Sequence, residues 1–387
     1  MKIAHVITRM IIGGAQENTL YNCLDLAKDF GDEVLLLTGP TTGPEGKLLE
    51  SLSDEDRRSI QISVLPCLRR NIHPRQDWGA YRELLAALRS FQPDVVHTHS
   101  AKGGFLGRLA AWQLRIPAVI HTVHGAPFHP YQNRIGYWLF RWLEWYAAKR
   151  CHHLISVADA MTDLMVAARV APREKFTTIY SGMDVRPFVE AHQQRGATRR
   201  RWNLRDDDLV IGKIARLAPL KGHEYLLHSA SEVIRQNPRV KYLLVGNGTK
   251  TNEIVREIDR RGLSDHFVLT GLVAPNQIPD LIAAMDVVVH TSLREGLARV
   301  LPQALLAGVP VVSFDIDGAR EVCLDGVTGG LVAAGDTAGL TQKLLQLAAD
   351  LELRQRQGRA GQARCREVFD HHYMTARIRD LYQQVLR

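Results

Sequence analysis

The stretch GKIARLAPLKGHEYLL, residues 212–227, sets two cations at a helix mouth. Arg216 follows an apolar strand, and Lys221 stands five residues on, beside Gly222. A planar guanidinium and a point-charge ammonium converging there suit a diphosphate; two solvated loop cations are the alternative. SLREGLARVLPQALLAGVPVVSF, residues 292–314, then places Glu295-Gly296 ahead of an apolar helical run (Val300, Leu301, Ala304, Leu305, Leu306) that ends at Gly308. A carboxylate there could cap the helix. It could also accept from sugar hydroxyls while the N–H groups of Gly296, Leu297 and Ala298 face a phosphate. Gln303, eight positions beyond Glu295, is an amide where another carboxylate would be the simple guess. In the first half of the chain Gly13-Gly14 precede a helical pattern, where backbone N–H groups can approach an anion at a helix N-terminus. A tight structural turn fits the same pair, and the spacing is not that of the dinucleotide fingerprint. His124 closes an apolar strand, a position that structural histidines also take; His97 and His99 read as structural.

The elements that must hold these groups alternate. KIAHVIT, EVLLLTG, QISVLP, DVVHTHS and PAVIHTVHG read as strands, with helices such as AQENTLYNCLDLAKDF and DWGAYRELLAALRSF between them. Residues 40–60 read as loop. Short Val/Ile strands alternating with helices of this length indicate parallel βαβ units. The pattern restarts after residue 187 with LVIGKIAR, KYLLVGNGT, HFVLTGLV, DVVVHTS and VPVVSF. EAHQQRGATRRRWNL, residues 190–204, reads as a polar linker with an exposed helix. The expected fold class is α/β: two doubly wound Rossmann-like domains facing each other across a cleft, with ligand at the carboxyl ends of the strands. The expected boundaries are a first domain over 1–186, a second domain over 187–365, and a C-terminal helix over 366–387 returning to the first.

The totals agree with this outline. A chain of 387 residues exceeds what one core serves. No apolar run approaches the ~18 to 20 residues that span a bilayer, and MKIAHVITRM reads as a first strand, not a leader. Five scattered cysteines imply reduced thiols in a cytoplasmic protein. Cys151-His152-His153 has no second cluster at zinc-ligand spacing, and no metal site is expected. The net charge of +8 resides in residues 61–150, where twelve basic residues face four acids. Nucleic acid is not the expected partner, because no recognition motif accompanies the charge. YQNRIGYWLFRWLEWYAAKR, residues 131–150, mixes aromatics and arginines in a way that suits an anionic membrane surface. Its alternative is aromatics packed in the domain core with solvated arginines.

Taken jointly, GKIARLAPLKG, LLVGNGT, VLTGLV and SLREGLARVLPQALLAGVPVVS resemble the nucleotide-sugar half of family 4 glycosyltransferases. MIIGGAQENTL, PDVVHTHS and VIHTVHG resemble the acceptor half, so the likeness runs from residue 3 to about 335. The resemblance implies a GT-B fold and a retaining, metal-independent transfer of a hexose-type sugar from a nucleotide-diphosphate-sugar, with no further cofactor. The acceptor it implies is a glycan or a lipid-linked glycan of polysaccharide or glycolipid synthesis, at the inner membrane face. By this resemblance Arg216 and Lys221 neutralise the diphosphate, and Glu295 is the first glutamate of the family's E-x7-E motif, holding the sugar hydroxyls. His124 points into the sugar pocket, Gly13 and Gly14 close over the phosphates, and Val273 meets the base. Gln303 replaces the motif's second glutamate, which would face the ribose. Two other functions stay compatible with these residues: a sugar-nucleotide 2-epimerase of the same fold, and a degenerate, non-catalytic donor-binding subunit.

Overall fold

In this computed structural model, which describes residues 1–41 and 46–387, the chain forms two compact units. The first comprises Met1–Met183 together with Phe369–Arg387, and the second Asp184–Val368. Residues 42–45 of the stretch expected as loop lie outside the described residues; a 3₁₀ turn, Leu48–Ser51, and a short helix, Asp54–Ser59, occupy much of the rest.

In the first unit the strands are β1 (Lys2–Ile7), β2 (Glu33–Thr38), β3 (Gln61–Val64), β4 (Val95–His99), β5 (Ala118–Val123), β6 (His153–Ser156) and β7 (Phe176–Thr178). They pair in parallel in the order β3-β2-β1-β4-β5-β6-β7. The order reverses at β1 and β4, whose carboxyl ends therefore open a crevice. A knot of polar groups fixes those two ends. Thr8 Oγ1 and Ser100 Oγ are 2.7 Å apart, and Gly103 N–H donates to Thr8 Oγ1 at 2.8 Å. A Cβ on Gly103 would come 2.8 Å from the Thr8 nitrogen, so the close approach of helix Ala101–Gln113 to β1 depends on that glycine.

Helix His371–Leu386 packs on helix Gly14–Lys28 of the same unit. His371 Nδ1 and Thr375 Oγ1 each reach an Asp25 carboxylate oxygen at 2.8 Å, and Arg379 Nε donates to Asp32 at 2.8 Å.

The second unit repeats the plan with β8 (Leu209–Ile214), β9 (Val240–Val245), β10 (Phe267–Gly271), β11 (Val287–His290), β12 (Val311–Phe314) and β13 (Gly329–Val332). These too are parallel, ordered β10-β9-β8-β11-β12-β13, with the reversal between β8 and β11. Both sheets are thus α/β and doubly wound, as the alternation of strands and helices predicts. Strands covered on both faces read as apolar runs: Val287, Val288 and Val289 are at most 1% exposed.

Two expectations need correction. Residues 190–204 are no exposed linker: they form short helical turns that belong to the second unit. Arg199 there is 1% exposed. Its guanidinium donates to the carbonyls of Ala284, Arg205, Asp206 and Asp208 and to the Asp286 carboxylate. A guanidinium with an acceptor at each of its three nitrogens can be buried; composition alone hides that. The second correction concerns residues 131–150. Helix Arg134–Ala148 buries Glu144, Ala147 and Ala148, not its tryptophans. Ile135, Trp138, Leu139, Trp142 and Trp145 are exposed, so the core reading fails for them. Arg108, one of the cations of the basic segment, is fully buried against Glu144 at 3.0 Å and belongs to no surface patch.

Candidate active site

In the second unit the loop after β8 and the loop after β11 are stitched together. Thr291 Oγ1 donates to the Gly222 carbonyl at 2.6 Å, and Leu293 N–H donates to the Leu220 carbonyl at 2.9 Å. Gly222 adopts φ +64°, and a Cβ there would lie 1.8 Å from the Thr291 carbonyl oxygen. Only glycine lets the two loops close to this distance. The stitching brings Lys221 and Glu295 together: Lys221 Nζ donates to Glu295 Oε1 at 2.5 Å. Glu295 N–H donates in turn to Asp317 Oδ2 at 2.6 Å, and Asp317 itself has φ +44°. His290, the last residue of β11, puts Nε2 3.6 Å from Glu295 Oε1, just beyond hydrogen-bond length.

Electrostatics follow from this packing. Burial, the largest single influence, pushes the Glu295 carboxyl up, but the His290 ring and the Lys221 ammonium together outweigh it and hold the group well below the usual carboxylate range. Burial lowers His290 despite the neighbouring carboxylate, and burial raises Asp317 against the hydrogen bond it accepts from the Glu295 N–H. Beneath the pair lies Lys213, 1% exposed on β8, whose Nζ donates to Thr291 Oγ1 at 2.7 Å. Burial and the nearby Lys221 charge push this ammonium down to about 7.

The other residues singled out by the sequence take the following places. Arg216 is exposed in the loop after β8, and its carbonyl accepts from His223 Nε2 at 3.1 Å. Gly296, Leu297 and Ala298 form an irregular turn, because the helix starts only at Val300 and runs to Leu306. None of their three N–H groups donates to an acceptor among the described residues. A turn that leaves consecutive N–H groups undonated beside a fixed carboxylate can receive a phosphate and a hydroxyl together. Gln303 is half-buried on that helix, and its backbone N–H donates to the Arg299 carbonyl. The structure gives it no hydrogen bond to Glu295. Val273 lies in the turn after β10, at the same carboxyl edge of the sheet but two strands from β8.

In the first unit Gly13 caps helix Gly14–Lys28 in an extended conformation at the carboxyl end of β1, and its carbonyl accepts from Glu17 N–H at 2.9 Å. His124 immediately follows β5. Its Nε2 is 3.1 Å from His99 Nδ1, and His99 Nε2 is 3.0 Å from His5 Nδ1. His97 meets Tyr382 Oη at 2.5 Å and Thr122 Oγ1 at 2.7 Å, which fits the structural role expected of it. Sequence reading missed Lys213, His290, Asp317 and His5. For Lys213, His290 and His5 the one visible signal is a charged or polar residue inside an apolar strand, as in LVIGKIAR and KIAHVIT; Asp317 lies in the loop after β12 and has none.

Two clusters have metal-ligand spacing among the described residues, His5-His97-His99 and Asp25-His371-His372. In the first, both ring nitrogens of His97 and of His99 already have partners, so a cation there would have to displace a hydrogen bond at each of those two rings. The second anchors the C-terminal helix. In Cys151-His152-His153 the three side chains engage different partners: Ala148 O, Val119 N–H and Thr177 Oγ1.

With this geometry in view, the relatives of the chain can be stated. Residues 12–186 match the family model Glycosyltransferase Family 4, and residues 194–364 match Glycosyl transferases group 1. The chain is 28% identical over 353 residues to UDP-Gal:alpha-D-GlcNAc-diphosphoundecaprenol alpha-1,3-galactosyltransferase of Escherichia coli, covering 90% of this chain and 88% of that one. It is 27% identical over 269 residues to alpha-D-kanosaminyltransferase of Streptomyces kanamyceticus, covering 67% and 69%. Among solved structures, Anabaena HepE in complex with UDP and glucose superposes with a TM-score of 0.84 at 21% identity, over 99% of each chain. The order of the strands, the paired family models and these relatives lead to one conclusion: the chain is a glycosyltransferase of family 4, with the GT-B fold.

Proposed function

We propose that this glycosyltransferase takes a hexose-type sugar from a nucleotide-diphosphate-sugar, with uridine as the nucleoside. It passes the sugar, with retention and without a metal or further cofactor, to a diphosphate-linked lipid carrier bearing a glycan. The observation that carries this reading is the Lys221–Glu295 pair, 2.5 Å apart, beside the three undonated N–H groups of Gly296, Leu297 and Ala298. Lys221 and Arg216 balance the charge that builds on the leaving diphosphate, and the turn N–H groups add to it. Glu295, held ionised, accepts from hydroxyls of the donor sugar and fixes its orientation. His124 donates to the same sugar, Gly13 and Gly14 approach the phosphates, Val273 meets the base and Gln303 the ribose. The anomeric carbon–oxygen bond to the diphosphate breaks while the acceptor oxygen attacks from the same face, and its proton passes to the leaving phosphate oxygen. The uridine and the lipid carrier rest on the printed specificity of the Escherichia coli relative.

The membrane part of the reading is supported by helix Arg134–Ala148. Its exposed stripe, Ile135, Trp138, Leu139, Trp142 and Trp145, recurs at helical spacing, with Arg141 4.8 Å above the Trp138 ring and Lys149 3.7 Å above the Trp145 ring. Apolar side chains flanked by cations fit the interface of an anionic bilayer, on its cytoplasmic side. No helix is long and apolar enough to cross a membrane among the described residues.

Purified protein incubated with UDP-, GDP- and ADP-sugars in excess chelator tests the reaction. Slow release of UDP without acceptor, and an α-linked product from an α-linked donor, are expected. Recovery of an epimerised sugar nucleotide would replace transfer with isomerisation. No stabilisation by any donor and no nucleotide release would leave a binding subunit.

A further inference from the structure

Three imidazoles of the first unit stand end to end, from the interior of the sheet to the end of β5. His5 Nδ1 lies 3.0 Å from His99 Nε2, and His99 Nδ1 lies 3.1 Å from His124 Nε2. His5 and His99 are 0% and 1% exposed. Burial lowers His5 to about 3 and His99 well below its ordinary value, so both rings are neutral near pH 7. A neutral imidazole carries one N–H and one acceptor nitrogen. His99 uses both nitrogens on other imidazoles, so it donates in one contact and accepts in the other.

Two arrangements satisfy both contacts. In one, His5 donates from Nδ1 to His99, and His99 donates from Nδ1 to His124; a neutral His124 then carries its proton on Nδ1. In the other, His124 donates from Nε2 to His99, His99 donates from Nε2 to His5, and His5 carries its proton on Nε2. The buried Nε2 of His5 separates them, because it has no hydrogen-bond partner among the described residues. The first arrangement leaves a bare lone pair there, and the second leaves an orphaned N–H, the rarer and costlier case inside proteins. His97 gives no relief, since Tyr382 and Thr122 occupy both its nitrogens.

We propose that His5 and His99 are positioning residues that hold His124 in its neutral, Nδ1-protonated form, so that it presents a hydrogen-bond donor to the donor sugar. This rests on the role assigned to His124 under the proposed function. The relay also opposes an imidazolium at position 124. A proton added to Nε2 would face the N–H of His99, and relieving that clash would force both inner rings into the arrangement with the orphaned donor. A neutral donor is the form that suits a sugar developing positive charge as its anomeric bond loosens.

The test is long-range proton–nitrogen correlation NMR on the full chain labelled with ¹⁵N-histidine, with His124 assigned by the signals missing in His124→Gln. The wild-type protein at pH 7 should show His124 protonated on Nδ1, the minor form of free neutral histidine. His5→Phe should move His124 towards the Nε2-protonated form and lower kcat on the order of tenfold, the rate equivalent of one neutral hydrogen bond, with donor KM unchanged. His5→Asn, whose amide can again donate to His99, should restore both. A wild-type His124 protonated on Nε2, or charged, overturns the relay, and that spectrum needs no variant to fold. If the Nδ1 form stands but His124→Gln transfers sugar at the wild-type rate, the relay survives and the assignment of His124 to the sugar falls.

Discussion

Lys221 Nζ lies 2.5 Å from Glu295 Oε1, and the two loops that carry them are joined through Thr291 and Gly222. Cation and carboxylate therefore occupy each other in the protein, and a donor must divide them between its diphosphate and its sugar. Glu295→Gln should release Lys221 for phosphate: UDP binding should stay within about threefold of wild type while kcat falls by about a hundredfold or more. Lys221→Ala should weaken UDP binding and also lower kcat. Titration calorimetry with UDP, set beside steady-state kinetics, separates the two; equal losses in both parameters for both variants would dissolve the division of labour.

Arg216 is exposed, and its side chain makes no hydrogen bond or ion pair among the described residues. Arg216→Ala should keep the wild-type melting temperature within about 2 °C, as surface substitutions do. Its kcat/KM should fall by roughly ten- to a hundredfold, the worth of one charge-assisted contact to a diphosphate. Wild-type kcat/KM would remove Arg216 from the site.

Gln303 keeps one acceptor and adds two donors where a carboxylate would offer acceptors alone. Since ribose contacts change little as the sugar is transferred, Gln303→Glu should alter donor KM by less than about tenfold, roughly 1.4 kcal/mol, and leave kcat near wild type. Activity appearing only in Gln303→Glu would mark the natural chain as degenerate.

Lys213 should be visible in the pH dependence of stability. Its ammonium titrates near 7 in the fold against 10.5 when unperturbed, so between those values the unfolded chain binds the extra proton. Stability from this group therefore rises with pH across that window. Lys213→Met, which removes the buried charge, should melt above wild type at about pH 6.5, and the gap should narrow steadily towards pH 9.5. A gap that stays constant in melting scans would mean that Lys213 remains charged in the fold.

The exposed stripe of helix Arg134–Ala148 makes no core, so Trp138→Ala with Trp142→Ala should leave the melting temperature nearly unchanged. The wild type should co-sediment with vesicles containing anionic lipid and not with neutral ones, less so at high salt. The double variant should lose most of that binding. Retained binding in the variant would move the contact elsewhere; none in the wild type would remove the membrane from the reading.

The sequence makes the strands legible because buried parallel strands are continuous apolar runs, and Lys221 and Glu295 legible because each abuts a glycine at a helix entrance. The residues that tune them were hidden. Lys213 and Thr291 are 78 positions apart, and their bond exists only because β8 and β11 are neighbours at the sheet's reversal. His5 and His99 are likewise joined across β1 and β4. Local spacing carries no trace of such contacts. The misreading of residues 190–204 has the same root: an arginine looks solvated until the carbonyls that surround Arg199 are folded into place.

The return of helix His371–Leu386 to the first unit has a consequence for biosynthesis. Residues 1–183 leave the ribosome long before the C-terminal partners of Asp25, Asp32 and His97 have been made, and the whole second unit is translated in between. The nascent first unit must therefore wait, with a strip of helix Gly14–Lys28 and the floor beneath its histidines uncovered, while the second folds. A chain that has emerged from the ribosome as far as residue 368 would hold one finished unit and one unfinished one. Chaperone capture should peak in that interval and fall once Tyr382 has emerged.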